Sequence, residues 1–212
     1  MFKIEIGKEQ VNQLPLVTFP GKIYVIDSID KVNAAVAVLR KSTIVGLDTE
    51  TRPTFKRGEH HTMALMQLST PSECFLFRIN KIGVPVALAK YLADPECLKV
   101  GLSLHDDFNG LAHISPVKPA GWVEIQDMVG RFKIADLSLQ KIYAILFGQK
   151  ISKGQRLTNW EAATLTPAQQ AYAAIDAWAC IRIYELLQSG KFVPEESAYR
   201  VEIIPEDPDS NE

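Results

Sequence analysis

The sequence predicts an α/β fold: a mixed sheet, antiparallel in its first three strands and parallel afterwards, flanked by helices. Three observations carry this. Residues 43–79 hold three apolar runs with connections that suit a meander. From residue 84 onward, strand-like and helix-like patterns alternate, as they do in layered α/β domains. The run TIVGL at 43–47 has almost no polar relief, the pattern of a central strand covered on both sides.

Taken in order, residues 1–21 are mixed in character, end in the turn-like TFPG, and read as a leader. Residues 22–27 (KIYVID) read as a strand. Ser28 is a candidate N-cap for an amphipathic helix over 29–40, with Val32, Ala35, Val36, Val38 and Leu39 on its apolar side. Residues 43–50 form the next strand, and 51–62 are polar and basic, a loop. Strands follow at 63–69 and 74–79, joined through the turn residues Thr70-Pro71-Ser72. A short helix over 84–92 is stopped by Asp94-Pro95. Residues 98–104 read as a strand leading into a helix near His105, and 122–126 as a strand with Asp127 at its end. A helix over 138–147 ends at Gly148, and a basic loop spans 149–159. A long helix opens at Thr166 with Pro167 in its first position and is stopped by Gly190. The predicted organisation is a leader (1–21), one catalytic domain (22–192) and an acidic, frayed tail (193–212).

Composition excludes several classes. With 47% hydrophobic and 23% charged residues, and no apolar run long enough to cross a bilayer, the chain reads as soluble and cytoplasmic, with no membrane partner. Charge at the very start, MFKIEI, breaks the apolar core that a signal peptide needs. Cys74, Cys97 and Cys180 are widely spaced without a C-x-x-C, and His105 and His113 are two helical turns apart. Neither pattern suits a zinc site. Net charge is −2, but residues 195–212 carry seven acids against Arg200. The preceding 194 residues hold 22 basic and 18 acidic side chains, a balance that permits phosphate binding.

The chemistry centres on acids. In a strand, side chains alternate, so Ile44, Gly46, Asp48 and Glu50 share one face. Two carboxylates side by side at a strand end repel unless a proton or cation intervenes. In the helix after residue 104, Asp107 lies three residues after Leu104 and four before Leu111, on the inward stripe. Asp106 is turned about 100° away and suits the helix dipole instead. In AYAAIDAWACI (171–181), Asp176 is the only charge, so it needs a partner, and Tyr172 shares its helix face one turn earlier. A buried arginine would also satisfy Asp176. Four acids on three separated elements suit two hard divalent cations, Mg2+ or Mn2+, which together activate water and stabilise a leaving oxygen in phosphodiester cleavage.

These residues resemble the DEDDy-type 3′–5′ exonucleases, within them the Werner-type exonuclease domain and bacterial stand-alone relatives. The resemblance runs through GLDTE (46–50) with RPTFKRG (52–58) and ALMQL (64–68), then KVGLSLHDD (99–107) with Leu111, then Asn159-Trp160 and LTPAQQAYAAIDA (165–177). It covers roughly residues 22–190 and implies a ribonuclease-H-like fold that hydrolyses nucleic acid from a free 3′ end to nucleoside monophosphates. It further implies that Asp48 bridges two metals, Glu50 and Asp176 complete one site, Asp107 contributes to the other, and Tyr172 orients the attacking water. Asp127 matches a weaker family position.

Arg52, Lys56 and Arg57 in one loop, and Lys150, Lys153 and Arg156 in another, are candidate phosphate contacts or simply solvated charges. Met66 is a candidate wedge against the terminal base, though such residues are more often core. Trp160 and Trp178 read as packing residues. The resemblance implies DNA first, because a ribonuclease D-like enzyme is expected to carry further helical domains and this sequence runs about 36 residues past Asp176. A ribonuclease D-like activity on structured RNA stays open, as does a catalytically silent nucleic-acid-binding module. Intact carboxylates and Tyr172 favour an active enzyme.

Overall fold

The computed structural model describes residues 1–203. Its sheet grows from β3 (Ile44–Thr51), paired antiparallel with β4 (Met63–Ser69), which is itself antiparallel to β5 (Glu73–Phe77). This is the expected meander. Strand β2 (Lys22–Ile26) adds parallel to β5 at one edge. On the other side of β3, β6 (Leu98–Gly101) and β7 (Trp122–Glu124) add in parallel, so the order is β2-β5-β4-β3-β6-β7. Strand β4 thus runs antiparallel to both its neighbours, and β3 and β5 each carry a switch from antiparallel to parallel pairing.

Helices cover both faces. One face receives α2 (Ile29–Leu39), α4 (Val86–Leu92) and α5 (Leu104–Ala112), whose Val32, Leu39, Leu88, Leu104 and Leu111 join Val45, Leu47, Met66 and Phe77 in a buried cluster. The other face receives α8 (Pro167–Gln188), which packs across β3 and β4. Its start follows the sequence rules. Thr166 accepts from the Gln169 backbone N–H at 3.2 Å, the Gln169 amide oxygen accepts from the Thr166 N–H at 3.0 Å, and Pro167 fills the first turn.

Close approach of α8 to the sheet depends on small residues. Ala173, Ala174, Ala177 and Ala179 are fully buried, and a Cβ added at Gly46 would sit 1.8 Å from the Ala177 carbonyl oxygen. Glycine at 46 is therefore a packing requirement that seats the helix carrying Asp176 directly over the face of Asp48 and Glu50.

Several expectations need correction. The strand predicted over 98–104 ends at Gly101, and Ser103 adopts a left-handed conformation (φ 64°) from which α5 starts at Leu104. The strand over 122–126 ends at Glu124, and Asp127 lies in a short helix, α6 (Ile125–Val129). Glu124 causes both breaks. Its buried carboxylate accepts from Ser103 N at 3.0 Å, Leu104 N at 2.7 Å and Gln126 N at 3.0 Å, fixing the start of α5 as a long-range cap.

Residues 1–21, expected as a leader, contain β1 (Phe2–Ile4) and α1 (Lys8–Gln13). Ile4, Ile6, Val11 and Val17 are buried among Ile142, Tyr143 and Ile145 of α7 (Leu139–Phe147) and Trp178 of α8. Strand β1 pairs antiparallel with β8 (Arg200–Glu202), so the described part of the expected tail is ordered against the N-terminus. The rest of that tail lies outside the described residues.

Candidate active site

Alternation in β3 places Asp48 and Glu50 on the α8 side, and the close seating of α8 at Gly46 brings Asp176 to them. One carboxylate oxygen from each of the three lies within 4.8 Å of the others. Asp176 is 7% exposed in the middle of its apolar helix, and no arginine pairs with it among the described residues.

Asp107 approaches from α5, near the junction of β3 and β6. It stands outside the three-oxygen group but close enough for its charge to raise the pKa of Asp48 and Glu50. One of its carboxylate oxygens accepts from the Thr49 hydroxyl; the other, Oδ2, is buried without a partner. Asp106 is exposed, as the helical phase predicts, and so is Asp127. Tyr172 is 9% exposed and packs against fully buried Trp160, ring centroids 5.9 Å apart. Trp178 packs edge-on against Phe19.

The substrate-contact candidates separate. Lys56, Arg57 and Arg156 are exposed, and Arg156 lies near enough to Glu50 to favour its ionised form. Arg52 is half-buried and pairs with Glu161 at 3.3 Å. Lys153 lines a different depression, with Lys8, Lys141 and Lys150. Met66, the candidate wedge, is 1% exposed and packs with Leu104 and Leu111, so it is a core residue.

Sequence reasoning missed three neighbours of the acids: Thr49, Glu124 and Gln67. Gln67 is the only strongly polar side chain in MALMQLS, and that was the available signal. The β3–β4 register sets it directly opposite Asp48 on the same face. It is fully buried, and neither its amide oxygen nor its amide nitrogen has a partner.

Burial and mutual repulsion dominate the electrostatics. Desolvation, then the charges of Asp107, Asp176 and Glu50, push the Asp48 carboxyl well above its ordinary range. Desolvation, then Asp176 and Asp107, raise Glu50 to about 9. Desolvation raises Asp107 to about 7, against the Thr49 hydrogen bond. It also raises Asp176 to about 7, with the Tyr172 hydroxyl acting the other way. Burial raises the Tyr172 phenol itself.

The donor set is all oxygen, none of its acids forms an ion pair among the described residues, and Asp107 Oδ2 and the Gln67 amide are buried without partners. These residues fit a hard divalent cation.

A raised carboxyl pKa means that the folded state holds the proton more tightly than the unfolded chain. Stability carried by that proton is therefore lost as pH rises from the unfolded pKa, near 4.5, towards about 9 for Glu50. In chelator, wild type should lose stability relative to Glu50→Gln across that window, and added Mn2+ should restore more stability at pH 9 than at pH 6. Thermal melts against pH test this; a wild type that gains on the variant as pH rises would contradict it.

The 3′–5′ exonuclease family (DNA_pol_A_exo1) matches residues 23–190. The chain belongs to this family. Among similar proteins, this exonuclease-family chain is 31% identical over 186 residues to the bifunctional 3′–5′ exonuclease/ATP-dependent helicase WRN of Mus musculus, covering 83% of the chain and 13% of the mouse protein. It is 30% identical to a 3′–5′ exonuclease of Arabidopsis thaliana, covering 68% of the chain and 52% of that protein. It is 29% identical to ribonuclease D of Gluconacetobacter diazotrophicus, covering 80% of the chain and 43% of that protein. The chain thus spans about half or less of the length of these relatives.

Among solved structures, the exonuclease domain of Aedes aegypti Nibbler superimposes with a TM-score of 0.71 at 21% identity, covering 82% of this chain and 92% of that one. Escherichia coli ribonuclease D does so with a TM-score of 0.71 at 23% identity, covering 78% and 44%. They share the ribonuclease-H-like exonuclease fold expected from the sequence. No helix of the described residues is long and apolar enough to cross a membrane.

Proposed function

We propose that this chain is a metal-dependent 3′–5′ exonuclease that removes nucleoside monophosphates from the 3′ end of nucleic acid, with DNA the first substrate to test. The observation that carries the proposal is the convergence of Asp48, Glu50 and Asp176, with Asp107 beside them, in a family of 3′–5′ exonucleases. In this reading Asp48, Glu50, Asp176 and Asp107 would together hold the divalent cations. Bound there, divalent cations lower the pKa of the attacking water and stabilise the leaving 3′ oxygen.

The protein's own groups do the rest. Thr49 orients Asp107 through its hydroxyl. Glu124 holds the start of α5 and hence the position of Asp107. Tyr172 holds and orients water by hydrogen bonding; burial raises its phenol pKa, which favours the protonated form for that role. Arg156, whose charge reaches Glu50, is the candidate to meet a phosphate oxygen. Residues 22–192 form the catalytic unit, and β1, α1 and β8 brace it.

Similarity to the ribonuclease D of Gluconacetobacter diazotrophicus favours RNA as the second reading. The test is a time course with matched DNA and RNA, labelled at either end, in Mg2+, Mn2+ or chelator. The expected result is a ladder from 5′-labelled strands and early release of mononucleotide label from 3′-labelled ones, only with metal. Faster RNA shortening would select the second reading. Metal-saturated protein that binds both strands but cleaves neither would make it a binding module.

A further inference from the structure

We propose that Phe55, with Leu157 across a cleft from it, forms a stacking subsite for an unpaired base near the 3′ end of a single strand. The proposal rests on the exonuclease reading and supplies what the carboxylates lack, a means of gripping the strand upstream of the bond to be cut.

Phe55 is 77% exposed and Leu157 is 59% exposed. Phe55 is a large aromatic exposed within an otherwise polar loop, facing a cleft it shares with a second exposed apolar residue. The two residues line one cleft of about 310 Å³, together with Arg52, Pro53, Lys56, Glu59 and Asn159. The loop that carries Phe55 is held at both ends by one residue, Glu161. Glu161 pairs with Arg52 at 3.3 Å and with His61 Nδ1 at 3.2 Å. Asn159 Oδ1 in turn accepts from the Glu161 N–H at 3.0 Å. The aromatic ring is therefore presented from an anchored loop.

Surrounding charge selects the occupant. Lys56 and Arg57 flank Phe55, and Arg156 precedes Leu157; all three are exposed cations. An aromatic platform among cations suits a polyanion with flat bases, and base stacking tolerates any sequence because every base offers a π-face. The loop also leaves the acids directly, since it follows β3 in the chain. Phe55 follows Glu50 by five residues, a reach of at most about 17 Å, which puts the stacked base within the first few nucleotides. A base can enter only when unpaired, so the subsite favours single-stranded or frayed 3′ ends over closed duplex.

The experiment compares wild type, Phe55→Ala and Phe55→Tyr on a single-stranded oligonucleotide and on the p-nitrophenyl ester of thymidine 5′-phosphate, which has no upstream base. Phe55→Ala should lose roughly ten-fold or more in kcat/KM on the oligonucleotide, mostly through KM, and nothing on the ester, with Phe55→Tyr restoring the oligonucleotide rate. Binding is read separately, in chelator, by quenching of 2-aminopurine placed at each of the last four positions. Wild type should quench it at one or two of them, and Phe55→Ala should not. An equal loss on both substrates, or unchanged quenching and unchanged oligonucleotide kinetics, would overturn the proposal. Failure of wild type to cleave either substrate would count against the exonuclease reading alone, because quenching still reports the stacked base.

Discussion

Asp48→Asn should abolish turnover and leave the protein folded, with a higher melting temperature in chelator than wild type. The carboxylate lies where charges from β3, α5 and α8 meet, and its pKa is raised by burial and by Asp107, Asp176 and Glu50 together. The amide keeps the shape and removes one of the repelling charges, so the metal-free fold gains. It also removes a carboxylate oxygen that would hold the cations. Several kcal/mol of transition-state charge stabilisation go with it, which corresponds to a fall of about 10³-fold or more in kcat. Steady-state rates in Mg2+ and Mn2+, with melts in chelator, check both halves. Near-normal turnover would remove Asp48 from the mechanism, and a lower melting temperature would show that its charge is already compensated.

Gly46→Ala should destabilise the protein by at least about 3 kcal/mol and abolish activity with it. The added methyl would sit 1.8 Å from the Ala177 carbonyl oxygen and 3.2 Å from Ile181. Neither a backbone carbonyl in mid-helix nor the central strand can yield cheaply, so α8 must lift from β3. Lifting it carries Asp176 and Tyr172 away from Asp48 and Glu50. Denaturant melts measure the loss. A folded Gly46→Ala protein with wild-type stability would show that the helix can move away without cost.

Local rules made much of this site legible before any coordinates. Strand alternation alone put Asp48 and Glu50 on one face. Helical phase turned Asp107 inward and Asp106 outward, and a lone charge in AYAAIDAWACI marked Asp176 as needing company. The antiparallel start of the sheet followed from three apolar runs on short connections. What escaped was long-range. Nothing near residues 98–104 announces that a carboxylate at 124 caps the next helix, so that strand read three residues too long. The Gln67 amide meets Asp48 only through cross-strand register. Residues 1–21 read as a leader because their strand is three residues long and its partner, β8, lies at the far end of the described chain. Met66 stayed open between a wedge and a core residue because apolar residues in a strand do not reveal which side of the sheet closes over them.

Calorimetric titration of Mn2+ into metal-free wild type and Asp48→Asn at pH 8 tests whether these carboxylates hold divalent cations. Binding to wild type should be saturable and strengthen with pH as the raised carboxyls lose their protons, with a large loss of affinity in Asp48→Asn. Equal Mn2+ affinity in the two proteins would contradict that role.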